Sequence, residues 1–127
     1  EKSSEQFVLA EVGILKGSGL AIWADTFPGA RLIGFDLTTS NTRNNLPFLK
    51  SRGGFPMGEP ELVSMNQMSL TEENQAIIRE ALGDAKFKVV IDDGFHTDQS
   101  ILNTFLAFEP FLAEDALYIL EDLKCTK

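Results

Sequence analysis

Apolar residues in this chain come in short runs that end at acids, a glycine or an asparagine, and these runs have the length and composition of strands. They are Phe7 to Val12, Arg31 to Asp36, Glu61 to Met65, Lys88 to Asp92 and Ala116 to Leu120. The third is shorter and more polar, as befits a sheet edge. Helical spacing lies between them. Ser18 is placed to cap a short helix through Leu20, Ala21, Ile22 and Trp23, which Pro28-Gly29 ends. Ser69-Leu70-Thr71-Glu72 has capping-box spacing ahead of Ile77, Ile78, Ala81 and Leu82, which share one face, and Gly83 stops that helix. Thr97 or Asp98 caps a last helix whose Ile101, Leu102, Phe105, Leu106 and Phe108 form a wide apolar face read as core. The section from Asn41 to Pro60 holds Pro47, Pro56, Gly53, Gly54 and Gly58, which predicts at most one short helix near Leu46 to Lys50 and then a long loop. Strands alternating with helices imply right-handed crossovers and a parallel sheet covered on both faces.

The 127 residues fit one domain with a real core, and 43% hydrophobic with 24% charged residues disfavour wholesale disorder. A net charge of −8 with scattered Lys and Arg argues against nucleic acid or an anionic membrane as partner. Cys125 is the only cysteine, so an intrachain disulfide is excluded and a reducing, cytoplasmic setting is expected. No apolar run is long enough to span a bilayer and the first residues do not resemble a signal peptide, so a soluble protein is expected.

Candidate chemistry gathers at the strand ends, because ligands of open α/β sheets sit beyond the carboxyl ends of the strands. The first strand runs into Glu11-x-Gly13-x-x-x-Gly17-x-Gly19. Glycines there let the backbone pass close under a ligand, and the following helix offers free N–H groups. The spacing differs from the dinucleotide fingerprint, and Glu11 would repel a pyrophosphate but suits a cationic or amino-bearing cofactor. Asp36 ends the second strand, where an acid commonly accepts hydrogen bonds from ribose hydroxyls; a simple turn is the alternative. Asn66-Gln67 either read an adenine edge or make a polar turn. Ile91-Asp92-Asp93-Gly94-Phe95-His96 carries the chain's only histidine, and Glu121-Asp122 ends the fifth strand.

The fourth and fifth strands are expected to be neighbours, about 4.8 Å apart, so their acids share one cleft. Alternation aims Asp92 and Asp93 to different sides, and one of them faces Glu121-Asp122. Converging carboxylates repel unless a hard divalent cation joins them, and Mg²⁺ is the natural candidate. His96 is then placed to take a proton from a hydroxyl that the metal acidifies. The plainer alternative is a helix-capping cluster at Asp92-Asp93 and a solvated acidic end at Glu121-Asp122.

These stretches together resemble the class I S-adenosylmethionine-dependent methyltransferases. The nearest branch is that of the macrocin and mycinamicin sugar O-methyltransferases and the cephalosporin hydroxylase proteins, with the signature I-D-D-G-S-H followed by Y-V-I-E-D, here Ile91 to His96 and Tyr118-Ile119-Leu120-Glu121-Asp122. The resemblance implies a Rossmann-like three-layer α/β sandwich, mainly parallel with strand order 3-2-1-4-5, and a single S-adenosylmethionine-binding domain over residues 1–127. It implies that Glu11, Gly13, Gly17 and Gly19 hold the methionine part of the cofactor, Asp36 its ribose, and Asn66, Gln67 and Asp92 the surroundings of the adenine. It makes Asp93, Glu121 and Asp122 metal ligands, with Asp93 and His96 as catalytic residues and His96 the general base. The implied reaction is metal-assisted transfer of the methyl group to a hydroxyl of a sugar-like small molecule.

The chain departs from the pattern in three places. Phe95 stands for Ser, Ala113-Glu114-Asp115-Ala116 replaces a Pro-Gly-Gly turn and should reshape that corner, and Asn66 stands where Asp is common. Relative to the full seven-stranded fold the sequence reads as truncated, which leaves three expectations: a fragment, a homo-oligomer whose partner covers the exposed sheet edge, or a minimal protein. Two rival functions remain open. One is a domain that binds S-adenosylmethionine or adenosine without turnover; the other is an NAD-dependent oxidoreductase, disfavoured by the glycine spacing and Glu11.

Overall fold

The structure, a computed structural model, describes residues 7–94 and 97–121. Strands β1 (Val8–Val12), β2 (Arg31–Asp36), β3 (Glu61–Ser64), β4 (Phe87–Asp92) and β5 (Leu112–Leu120) alternate with helices α1 (Ser18–Thr26), α2 (Ser40–Ser51), α3 (Thr71–Leu82) and α4 (Asp98–Phe108). All pair in parallel within one sheet, in the order β3-β2-β1-β4-β5. The predicted architecture is therefore the observed one.

Strand alternation divides the core in two. Val8, Ala10 and Val12 of β1 join Phe35, Phe87 and Val90 under Ile78 and Leu82 of α3 and Phe108 of α4. The rings of Phe35 and Phe108 meet edge to face at 5.2 Å. Leu9 points the other way, with Val89 and Ile91, beneath Leu20 of α1 and Leu46 and Leu49 of α2. Each fully buried side chain of this kind contributes about 1.5–3 kcal/mol. Both faces of β1 are covered, which is why it reads as an unbroken apolar run rather than an alternating one.

Four local expectations are corrected. The stretch expected to be mostly loop carries the twelve-residue α2, with Pro47 inside it. Leu46 and Leu49 anchor that helix in the core, and the buried Thr42 hydroxyl donates to the carbonyl of Leu15 at 2.7 Å. Tertiary contacts thus override a weak local preference. Neither Ser18 nor Ser69 caps a helix: α1 is preceded by Gly17 at φ +91° and α3 by Leu70, both without a side-chain cap. Thr97 does cap α4, accepting from the Ser100 N–H at 3.0 Å. Ala113 to Ala116 is not a corner but part of β5, where the register slips from Phe87 opposite Leu112 to Val89 opposite Leu117. No residue there is a glycine or proline, so the extra length is absorbed as an irregularity within the strand.

The buried face of α4 also differs from the predicted one. Ser100, Thr104, Ala107 and Phe108 face inward, while Leu102 is 53% and Leu106 38% exposed. Ile101, Leu102 and Phe105 instead line a shallow apolar hollow with Tyr118 and Leu120 of β5. Thr104 turns inward to meet Gln67, as described below.

Candidate functional site

At the carboxyl end of the sheet a hollow of about 600 Å³ opens between the β1 turn, α1 and the ends of β4 and β5. Its size falls within the range of small-molecule sites. Glu11, Gly13, Ser18, Gly19, Asp93 and Glu121 line it. Five predicted residues are thereby brought together: Glu11, Gly13, Gly19, Asp93 and Glu121. Gly17, Asp36, Asn66, Gln67 and Asp92 do not line this hollow, and His96 and Asp122 lie outside the described residues.

Two glycines make the geometry. Gly13 sits at φ +86°, and a side chain there would run into the carbonyl of Asp93 and the Cα of Gly94. Only glycine lets the β1 turn pass under the end of β4. At Gly19 a Cβ would lie 2.8 Å from Oε2 and 3.1 Å from Oε1 of Glu11. The bare first turn of α1 therefore leaves room for this carboxyl.

Glu11 is 4% exposed, and its Oε1 has no hydrogen-bond partner among the described residues. Burial pushes its pKa up from 4.5 to about 8, and the charges of Asp93 and Glu121 add to the rise. A buried acid with an unused acceptor, among further acids, fits a positively charged group. This donor set suits a cofactor that brings an ammonium or sulfonium to the hollow. Among the described residues, no three His, Cys, Asp or Glu side chains gather closely enough to hold a metal ion.

Asp92 and Asp93 face opposite sides, as alternation predicts. The Asp93 N–H donates to Val12 O at 2.8 Å and its residue lines the hollow. Asp92 is buried toward α4, where its Oδ1 accepts from Gln67 Nε2 at 3.2 Å and from the Gly94 N–H at 3.1 Å. Gln67 also donates to Thr104 Oγ1 at 2.6 Å, and Thr104 to Ser100 O at 2.7 Å. This network explains the inward hydroxyl of Thr104, while the Ser100 hydroxyl donates to Thr97 O at 3.0 Å in the first turn of α4. Tyr118, on the same face of β5, has its phenol pKa raised by burial and by the Asp92 charge. Asn66 makes a turn, its Oδ1 accepting from the Met68 N–H at 2.9 Å.

Asp36 grips the glycine-rich turn itself. Its Oδ2 accepts from the N–H groups of Ile14 at 2.9 Å and Leu15 at 3.1 Å, and its Oδ1 from Leu37 at 2.7 Å. Leu15 is held at φ +51°.

Some lining residues escaped sequence reasoning. Ile22 and Trp23 follow from the outward face of α1 once the helix is drawn, and Leu15 and Lys16 from their place inside the turn. Asn41 gave no signal, because its segment was read as loop. Thr104 and Ser100 were hidden among apolar neighbours that dominate the helical pattern.

No family model matches the chain, and no curated protein matches it. Solved structures do. A caffeoyl-CoA O-methyltransferase-like protein from Staphylococcus aureus superposes with a TM-score of 0.65 at 12% identity, over 94% of this chain and 52% of that one. The fold is that of the S-adenosylmethionine-dependent methyltransferases. PKMT2 from Rickettsia typhi, in complex with AdoHcy, gives a TM-score of 0.62 at 15% identity over 90% of this chain and 20% of that one. A SAM-dependent methyltransferase from Thiobacillus denitrificans, in complex with S-adenosyl-L-homocysteine, gives 0.57 at 15% identity over 97% and 46%. The chain spans about half the length of the first of these methyltransferase-fold proteins or less of the others. Among the described residues no helix of this methyltransferase fold is long and apolar enough to cross a membrane.

Proposed function

We propose that this chain is the cofactor-binding part of an S-adenosylmethionine-dependent O-methyltransferase. One observation carries the reading: Glu11, buried with an unused oxygen, faces a hollow beside Asp93 and Glu121 at the end of the sheet. Glu11 ionises when a positive group arrives and holds that group at the glycine-rich turn. Gly13 and Gly19 keep the backbone and the first turn of α1 clear of it. S-adenosylmethionine would supply the electrophilic methyl group on a positively charged sulfur. Positioning and electrostatics then supply most of the rate. The fold shared with solved methyltransferases supports the choice of cofactor.

The finer reading rests on the resemblance of Ile91 to His96 and Tyr118 to Asp122 to the sugar O-methyltransferase branch. In it, Asp93, Glu121 and Asp122 hold Mg²⁺, His96 takes the proton of the acceptor hydroxyl, and the acceptor is a sugar-like small molecule. Asp93 and Glu121 support it by lining one hollow.

Calorimetry with S-adenosylhomocysteine tests the cofactor, with and without Mg²⁺. Saturable binding in both conditions is expected, and an added dependence on Mg²⁺ in the presence of a diol acceptor. Binding that ignores Mg²⁺ throughout would leave a cofactor-binding domain without metal assistance, and preference for NAD would favour an oxidoreductase. Methyl transfer that persists in His96→Ala would remove His96 as the base.

A further inference from the structure

Gln67 does not line the hollow, yet it is buried and spends its side chain on the segment that forms the hollow's edge. A primary amide has two N–H donors. Those of Gln67 go to Asp92 Oδ1 at 3.2 Å and to Thr104 Oγ1 at 2.6 Å. Its backbone is fixed as well, because Asn103 donates to its carbonyl at 3.3 Å and Asn74 to that of Asn66 at 2.9 Å. A side chain on Gly94 would run into the Gln67 amide, so the turn after β4 rests directly on it.

Asp92 passes this fixed point on in two directions. Its carbonyl accepts from the Glu121 N–H at 3.0 Å, and the N–H of the next residue, Asp93, donates to Val12 O at 2.8 Å. Its Oδ1 also closes the turn by accepting from the Gly94 N–H at 3.1 Å. One residue therefore ties together Asp93 and Glu121, two acids that stand in the hollow. Charged groups at a site keep their spacing only when buried hydrogen bonds beneath them hold it. We infer that Gln67 is a positioning residue of the hollow: acting through Asp92, its buried amide fixes where Asp93 and Glu121 stand. The inference deepens the proposed function and rests on it only for what the hollow binds.

The test compares the whole chain with its Gln67→Ala, Asp93→Asn and double variants. Arg31→Lys, a destabilising change at the other end of the sheet, is the control. The amide proton signals of Asp93 and Glu121 report their hydrogen bonds, and calorimetry with S-adenosylhomocysteine reports the site. In Gln67→Ala both signals should move upfield, as the bonds to Val12 and Asp92 lengthen, and S-adenosylhomocysteine should bind about tenfold more weakly. In the Asp93→Asn background the same change should weaken binding by no more than about threefold, because the group through which Gln67 acts has already been altered. Arg31→Lys should leave both signals and the affinity unchanged. If the alanine variant does not fold, Gln67→Met, which keeps the length and removes both donors, should give the same changes. Unmoved amide signals, an affinity equal to the parent's, penalties that multiply in full, or an Arg31→Lys variant that weakens binding as much, overturn the inference. A parent that does not bind S-adenosylhomocysteine refutes the cofactor reading instead, while the two amide signals still decide the role of Gln67.

Discussion

Glu11→Gln should make the free protein more stable at neutral and alkaline pH, and the size of the gain follows from the site. The Glu11 carboxyl is raised from 4.5 to about 8, first by burial and then by Asp93 and Glu121. Between these two values the folded chain keeps the proton that the unfolded chain has released. The unfolded state then binds fewer protons, so stability falls as pH rises. Full stability from this group is present below about pH 4.5 and is lost progressively as pH rises through about 8. At about 1.4 kcal/mol per unit, the loss between about pH 5 and pH 8 is about 3 kcal/mol. Glutamine has nearly the same shape and no charge to desolvate, so it escapes the penalty. Urea melts of both proteins across this pH range measure the effect. The two should agree near about pH 5 and diverge steadily, with the variant ahead by about 3 kcal/mol near about pH 8. Profiles that run parallel would refute the reasoning, because all other titrating groups are common to both proteins. Under the proposed function the same variant should bind S-adenosylhomocysteine more weakly; a calorimetric affinity equal to the parent's would detach Glu11 from the cofactor.

Other outcomes follow from single contacts. Gly13→Ala should cost about 2 kcal/mol or more, because the new methyl group meets the Asp93 backbone at a positive φ; a thermal melt within a degree or so of the parent's would contradict the crossing. Gln67→Ala should cost about 1–3 kcal/mol by removing the shared donor of Asp92 and Thr104, read by denaturant midpoint. Arg31→Lys should lose about 1–2 kcal/mol, because the guanidinium holds Glu61 at 2.7 and 2.9 Å and also donates to the carbonyls of Ala81 and Leu82; an unchanged melt would show the four bonds to be dispensable.

The sheet was legible because its central strands β1, β2 and β4 are largely buried and so appear as apolar runs between breakers. Parallel pairing followed from strands alternating with helices, whereas the strand order came from the family resemblance. α2 was legible only around Leu46 to Lys50: Pro47 and three nearby glycines hide its full length in a local reading, and only the core shows what Leu46 and Leu49 touch. The face of α4 was misread for a related reason. Counting apolar residues places the core at Leu102 and Leu106, whereas Gln67 beside Asp92 needs Thr104 and the start of the helix turns Ser100 inward toward Thr97. In the site, Glu11, Asp93 and Glu121 were visible as acids at neighbouring strand ends. The engagement of Asp36 with the turn was not, because it depends on Leu15 adopting a backbone angle that its side chain does not announce.

Asp92 and Asp93 are the same letter written twice, yet the peptide bond joining them separates a dry interior from a wet mouth. Exchanging either for glutamate should therefore have unlike consequences: at the first, an extra methylene has nowhere to go; at the second, it merely lengthens the reach of a charge toward whatever enters.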